Sequence, residues 1–396
     1  AYAYDSHLDM IAHRLKIDPL EIRLNNLLKK GEDYAAGDTP MDCDLRGGLK
    51  KVAKFIGWGK KVRSKKGSRF KKGIGIACGV KDGGGSNKAA HAMVKVLLDG
   101  SALLSFGSVE IGQGIRTALM QVVADELSLS PEKVRVAELD TQHTPFDKGT
   151  NASSAVSVMG QAVQMAARDA RRQLLAASAA ALGAARTKLR LTNGKVISGK
   201  KSMPFREVMQ LRFGEAEDEI IGRGFFKSPR NKNVPLGFTA PFWEVGMAGA
   251  EVEVDEMTGV VRIVRYVSLT DSGKMINPIL CRGQDEGATL FGMGLALSEE
   301  LHYRDGKLIN PNLVDYRVPR FRDLPEQFQT HILEEGGGPG PHGAKGMGEG
   351  GILGVVPAVC NALYNATGVR MHRVPLLGER VLEAIERHKK GQSGKK

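Results

Sequence analysis

Apolar residues follow two periods along the 396-residue chain, and the period changes near residue 70. Between 5 and 30 they recur every three or four positions, which predicts two short helices. Asp5 or Ser6 is placed to cap the first. Asp18-Pro19 starts the second in the preferred order, and Leu20, Ile22, Leu24, Leu27 and Leu28 give it an inner face. A third helix is predicted over 46–57. Small and β-branched residues then predict strands at 73–80, 90–100 and 102–111, with a turn at Asp99-Gly100. A helix over 114–128 and a strand over 133–140 follow. A long Ala-rich helix comes next at 153–184, with Gly160 as a close packing point. Residues 248–271 alternate on both sides of "EMTG" and predict a hairpin. A buried helix at 283–299, a glycine-rich loop at 336–351 and helices at 352–366 and 377–389 complete the chain.

Strands and helices mix without strict βαβ alternation. The fold class is therefore α+β, with mixed sheets and packed helices. The length suggests more than one domain. We divide the chain into a helical segment at 1–66 that ends a preceding domain, a first α+β subdomain at 67–230 and a second at 231–396. The basic stretch 59–72 is the first boundary. No segment repeats internally.

Glycine changes this picture. It supplies 49 of 396 residues, roughly 12% against a typical ~7%. The excess clusters at 82–85, 107–114 and 336–354, which points to backbone-lined sites. The net charge of +13 raises nucleic acid as a partner. The lysines, however, sit in 59–72 and in the tail "RHKKGQSGKK", without interleaved aromatics. They read as a solvated loop and a frayed tail. Cys43, Cys78, Cys281 and Cys360 show no CxxC or zinc spacing and read as reduced thiols of a cytoplasmic protein. No apolar run is long enough to span a bilayer, and no signal peptide is evident. The chain starts "AYAYDSHLDMIAHRL" without Met, which suggests a processed chain or a piece of a longer one.

Three loops carry the candidate chemistry. In "GSVEIGQGIRT" (107–117) a strand runs through Gly112-Gln113-Gly114 into a helix, whose N-terminus favours anions. The Gln113 amide both donates and accepts, as a flat heterocycle or a phosphate requires. In "FDKGTNASSAVSVMGQAV" (146–163), Thr150, Asn151 and Ser153 precede the long helix. "GAKGMGEGG" (343–351) holds one carboxylate, Glu349, among five glycines. Each loop by itself is also consistent with an ordinary turn or cap. Together they suit one large anionic ligand with ring and phosphate contacts.

The order of "GSVEIGQG", "GTNASS…GQAV", "AEVEVDEMTG", "INPI…EGA" and "GAKGMGEGG…PAVCNAL" resembles the molybdenum hydroxylases: the xanthine dehydrogenase, aldehyde oxidoreductase and carbon monoxide dehydrogenase large-subunit family. The match covers nearly the whole chain and corresponds to the C-terminal half of the molybdopterin-binding subunit. It implies an α+β molybdopterin-binding fold and a molybdenum-dependent oxidoreductase. Cofactor contacts are implied at Gly112, Gln113, Gly114, Thr150, Ala152, Ser153, Lys345, Gly346, Met347 and Gly348. The Ala152 backbone would face the molybdenum, with no side-chain ligand. Glu349 would be the catalytic base, and the second α+β subdomain would carry it. The cofactor would be molybdopterin, with its cytosine dinucleotide as one form.

In this reading a water-derived oxygen adds to an electron-poor carbon of an aldehyde or N-heterocycle. Electrons pass to [2Fe–2S] clusters and FAD on partner chains, since this chain has neither pattern. Another chain would supply the front half of the molybdenum unit. The sequence departs from the family at Gly249, where xanthine dehydrogenases have cysteine, and at Phe291, where many members have Gln. It also departs at Ala155 in place of serine, and in Glu349-Gly350-Gly351 in place of Glu-Pro-Pro. The alternatives are a reductive enzyme similar to hydroxybenzoyl-CoA reductase, one similar to carbon monoxide dehydrogenase, a catalytically inert structural subunit, and a basic nucleic-acid binder.

Overall fold

The computed structural model describes every residue except 61, 63, 65, 66, 86, 215–217, 230–233, 236–238 and 394–396. Three helices open the chain: α1 (Tyr2–Leu15), α2 (Pro19–Asn26) and α3 (Leu45–Ile56). Asp18 caps α2 by accepting from the Leu20 and Glu21 amides, with Pro19 in the first turn. Asp5 does not cap α1. It lies buried one turn inside, pairs with Arg23 of α2 and accepts from the Cys78 amide at 3.0 Å. A capping position would leave Arg23, itself buried, without that counter-charge.

Two strand systems follow. Strands β1 (Phe70–Gly83), β2 (Ala89–Val96) and β3 (Ala102–Phe106) precede helix α4 (Ile115–Leu127) and the short β4 (Val134–Val136). A π-turn at Ala155–Met159 then leads into α5 (Gly160–Leu182). A three-stranded flap, β5 (Arg190–Thr192), β6 (Lys195–Ser198) and β7 (Lys201–Pro204), precedes α6 (Phe205–Phe213) and β8 (Ile220–Lys227). The predicted hairpin is β9 (Phe242–Asp255) and β10 (Val261–Asp271). After α7 (Pro278–Leu297) come the small ribbon β11 (Tyr303–Arg304) and β12 (Lys307–Leu308), then β13 (Gln327–Leu333). The helices α8 (Val355–Thr367) and α9 (Gly378–Ser393) close the described chain. The part of the basic tail before 394 is thus helical. Within the other basic stretch, positions 61, 63, 65 and 66 lie outside the described residues.

The sheets have orders β1-β9-β10-β13 and β4-β3-β2-β8. β1 pairs with β9 along its whole length, from Phe70–Asp255 to Gly83–Phe242. Placing β1 in the 67–230 subdomain therefore separates it from its own sheet, because β1 belongs with β9 and β10 rather than with β2 and β3. The boundary at 230/231 lies outside the described residues.

Each face of the β1-β9-β10-β13 sheet is buried. Val245, Met247 and Leu269 face α3, while Ala248, Ala250 and Val252 face α8. A strand buried on both faces reads as a continuous apolar run, which is why its alternation is faint in the sequence. Close approach explains two glycine pairs. A Cβ on Gly73 or Gly75 would overlap the α8 backbone, and one on Gly222 or Gly224 would overlap that of α5. The Ala-rich helix faces complete this close packing.

Several predicted elements differ from those formed, the strand expected over 90–100 ending at Val96 among them. The strand expected over 102–111 ends at Phe106, and that over 133–140 spans only Val134–Val136. The helix expected to be buried at 283–299 begins at Pro278, capped by Asn277, and exposes Ile279, Phe291 and Leu295. No helix among the described residues is long and apolar enough to cross a membrane.

Candidate active site

The three glycine-bearing loops meet at one cleft of about 560 Å³. Gly112 and Gln113 line it from the first loop, and Thr150 and Ser153 from the second. Lys345, Gly346, Met347, Gly348 and Glu349 line it from the third. Helix α7 forms a further wall through Leu280, Gln284 and Phe291. Gly114 and Ala152 are not among the lining residues. Gly114 is packed against Leu280, and the Ala152 carbonyl accepts from the Gly84 amide at 2.8 Å.

The first helix terminus is already occupied. The Glu110 carboxylate accepts from the amides of Gly112 (3.0 Å), Gly114 (2.8 Å) and Arg116 (3.2 Å). It takes the place of the anion that the sequence pattern suggests for this N-terminus. Gln113 also folds onto its own loop. Its Oε1 accepts from Ile111 at 2.6 Å and its Nε2 donates to the Val109 carbonyl at 3.0 Å. One amide hydrogen and one lone pair are left over by these two bonds.

The second loop carries backbone strain. Ala152 and Ser153 are consecutive residues at φ +51° and +53°, a region that side chains disfavour. Lys88 braces this turn. Its Nζ donates to the Asn151 carbonyl at 2.8 Å, to Asn151 Oδ1 at 2.5 Å and to Ser154 Oγ at 2.6 Å. Burial pushes the Lys88 ammonium below its ordinary range. Ala155 and Val156 line the cleft from the first turn after this loop, where amides have no intrahelical acceptor by position.

The third loop is tied to a buried carboxylate that the motifs do not reveal. Glu244 on β9 is 2% exposed. Its Oε1 accepts from the Glu349 and Gly350 amides, both at 2.7 Å. Ser153 Oγ lies 2.8 and 3.0 Å from its two oxygens, and Lys81 Nζ donates to Oε2 at 2.9 Å. Ser153 Oγ in turn accepts from the Gly348 amide at 3.2 Å. Hydrogen bonds to a charged group contribute about 1.5–3 kcal/mol each, so the second and third loops are locked together through Glu244. The signal in the sequence is a charged residue inside the apolar strand "FWEVGMAGA".

Lys81 reaches the Glu349 carboxylate as well, at 3.0 Å. Burial opposes the charge on Lys81, but Glu244 and then Glu349 outweigh it and raise its pKa. Glu349 remains 47% exposed and is the one acidic side chain among the described lining residues.

Lys345 is engaged elsewhere. Its Nζ pairs with Asp42 and Asp271, each at 2.7 Å, and its side chain is fully buried. Burial opposes that charge and the two carboxylates restore it. Asp42, Cys43 and Asp271 could surround a cation, and the Lys345 ammonium is that cation. Lys345 therefore contributes to the cleft as part of the loop, with its charge satisfied inside the protein.

Comparison with known proteins adds the family. A family profile described as "Molybdopterin cofactor-binding domain" matches residues 49–325. The chain is similar to a probable hypoxanthine oxidase of Escherichia coli K12, with 29% identity over 401 residues, covering 98% of this chain and 41% of that protein. It is 30% identical over 407 residues to the xanthine dehydrogenase molybdenum-binding subunit of Escherichia coli O157:H7, covering 96% of this chain and 51% of that subunit. The fold matches the crystal structure of quinoline 2-oxidoreductase from Pseudomonas putida 86 with a TM-score of 0.85 and 23% identity, over 97% of this chain and 51% of that one. The chain thus spans about half the length of the relatives it matches. The α+β architecture, with its mixed sheets, is that of these molybdopterin-binding structures, and the chain belongs to the molybdopterin cofactor-binding domain family.

Proposed function

We propose that this chain forms one side of the molybdopterin site of a molybdenum-dependent hydroxylase, with Glu349 as general base. The observation that carries the reading is convergence. Nine of the eleven residues chosen from the sequence line one cleft, and Glu349 is its acidic group. The residues fit such a group. The cleft volume lies in the range of small-molecule sites. A Cβ at Gly112, where φ is +101°, would meet no atom within 4 Å, so the backbone there stands open to a ligand. The spare Gln113 amide hydrogen and the first-turn amides of Ala155 and Val156 would hold ring and phosphate oxygens, and Thr150 Oγ, whose hydrogen goes to the Val109 carbonyl, would accept from a ring N–H. The pterin, with or without a cytosine nucleotide, would lie across them.

When bound, the molybdenum cofactor supplies two-electron redox chemistry and Lewis acidity. Glu349, half exposed, would remove the proton from a water-derived nucleophile as it adds to an electron-poor carbon. The glycines on either side of Glu349 allow the backbone to come close to a bulky group. Ile111 and Phe291 border the cleft with apolar surface, which would limit water there once a further segment covers them. Relatives named for xanthine and hypoxanthine suggest an N-heterocycle as substrate, and one named aldehyde oxidase keeps an aldehyde as the second reading. Electrons would leave to [2Fe–2S] and FAD chains, and the part of the molybdenum unit that the relatives have and this sequence does not cover would close the site. Four free cysteines suit a reducing compartment such as the cytoplasm.

The test is Glu349→Gln in the assembled enzyme. Turnover should fall ~10²–10⁴-fold, the usual weight of a general base, with molybdenum content unchanged. A kcat near that of the unmodified enzyme would contradict the assignment.

A further inference from the structure

The Glu349 side chain and its backbone are gripped by different groups. The backbone amides of Glu349 and Gly350 donate to buried Glu244, each at 2.7 Å. The side chain pairs with Lys81 at 3.0 Å, and Lys81 is itself anchored on Glu244 at 2.9 Å. Ser153, from the adjoining second loop, also bonds Glu244. One buried carboxylate therefore sets the positions of the loop, the strained turn and the lysine that faces the base. We propose that Glu244 and Lys81 are positioning residues for Glu349. Glu244 would fix where its Cα stands, and Lys81 would fix where its carboxylate points.

This inference rests on the reading of Glu349 as the base. A structural role for the network would need only the buried Glu244. It would not need Lys81, which is 24% exposed, to reach past Glu244 to the Glu349 side chain. A lysine that orients a base acts on the reaction step rather than on cofactor retention. Its removal should therefore appear in kcat more than in KM or metal content.

The experiment compares Glu244→Gln, Lys81→Met, Lys81→Arg and Glu349→Gln in the assembled, molybdenum-loaded enzyme. Three quantities are read: steady-state kinetics, molybdenum content, and hydrogen exchange of the amides over residues 345–351. Glu244→Gln keeps the size but loses the charge that both amides share. Exchange at Glu349 and Gly350 should quicken about tenfold or more, as expected for losing a charge-assisted bond, and kcat should fall. Lys81→Met should leave those two amides protected, lower kcat about tenfold and change KM little, and Lys81→Arg should recover much of the rate. Normal kcat in Lys81→Met and unchanged exchange in Glu244→Gln, beside an inactive Glu349→Gln, would overturn the positioning role while leaving the base assignment intact. Normal turnover in Glu349→Gln would overturn both. Should Glu244→Gln fail to assemble, the two Lys81 variants decide the matter by their rates.

Discussion

Glu110 and Glu244 each sit where a helix terminus or a glycine loop would otherwise offer its amides to a ligand. The cleft is thus pre-organised by the protein's own carboxylates, and a ligand meets a smaller set of free donors around Gln113 and the first turn after Ser154. Asp285 on α7 is a third acid with a definite physical consequence. It is almost fully buried beside Gly351, and among the described residues neither of its oxygens has a hydrogen-bond partner of good geometry. Burial raises its pKa to about 6, against a weaker pull from the Ser268 and Thr270 hydroxyls. The folded state therefore prefers the neutral acid. The stability Asp285 contributes is complete below its unfolded pKa near ~3.9 and is lost as pH rises through about 6. A shift of about two units corresponds to at most about 3 kcal/mol. Asp285→Asn should accordingly raise the urea midpoint at pH 7.5 and change it little at pH 4. A lower midpoint at pH 7.5 would show that the charged acid has a partner there.

Among the elements, the 343–351 loop has the least room. A Cβ at Gly346 would overlap the Ser153 carbonyl, so the third loop rests directly on the strained second loop. Gly346→Ala should push the two loops apart and cost about 1–3 kcal/mol, the usual range for overpacking. Molybdenum content should fall as well, because both loops line the same cleft. Unchanged stability and metal content would show that the loops move independently. Much of this level was legible in the sequence. The hairpin at β9–β10, the Asp18-capped α2 and the glycine-bearing loops follow from local pattern, since alternation, capping and turn residues act over a few positions. Long-range pairing was not legible. The union of β1 with β9 joins residues far apart in sequence, and the local pattern of either strand says nothing of which distant strand it pairs with. The same limit hid Glu244, Lys81 and Lys88. Their roles come from carbonyls, amides and hydroxyls brought in by other loops. Glu349, by contrast, stood out because its neighbours are glycines.

For the whole molecule, the cleft is the main structural fact, and its lining is open to solvent at Ile111 (69% exposed) and Phe291 (66%). Apolar surface of this kind calls for a cover. The chain also spans about half of the relatives it matches. We expect residues 1–396 expressed without other chains to hold little molybdenum and to show no substrate oxidation. With the cover supplied by another polypeptide segment, the interface should be of the obligate kind, ~2,000 Å² or more. Full metal loading and normal turnover by the isolated chain would contradict this. The most direct test of the central claim is the position of the metal. Anomalous diffraction at the molybdenum absorption edge, from crystals of the assembled enzyme, locates it without reference to any assumed mechanism. The account predicts one molybdenum peak in the cleft between residues 112–113, 150–153 and 345–349, facing the Glu349 carboxylate. A peak elsewhere in the assembly, with this cleft holding no metal, would contradict it.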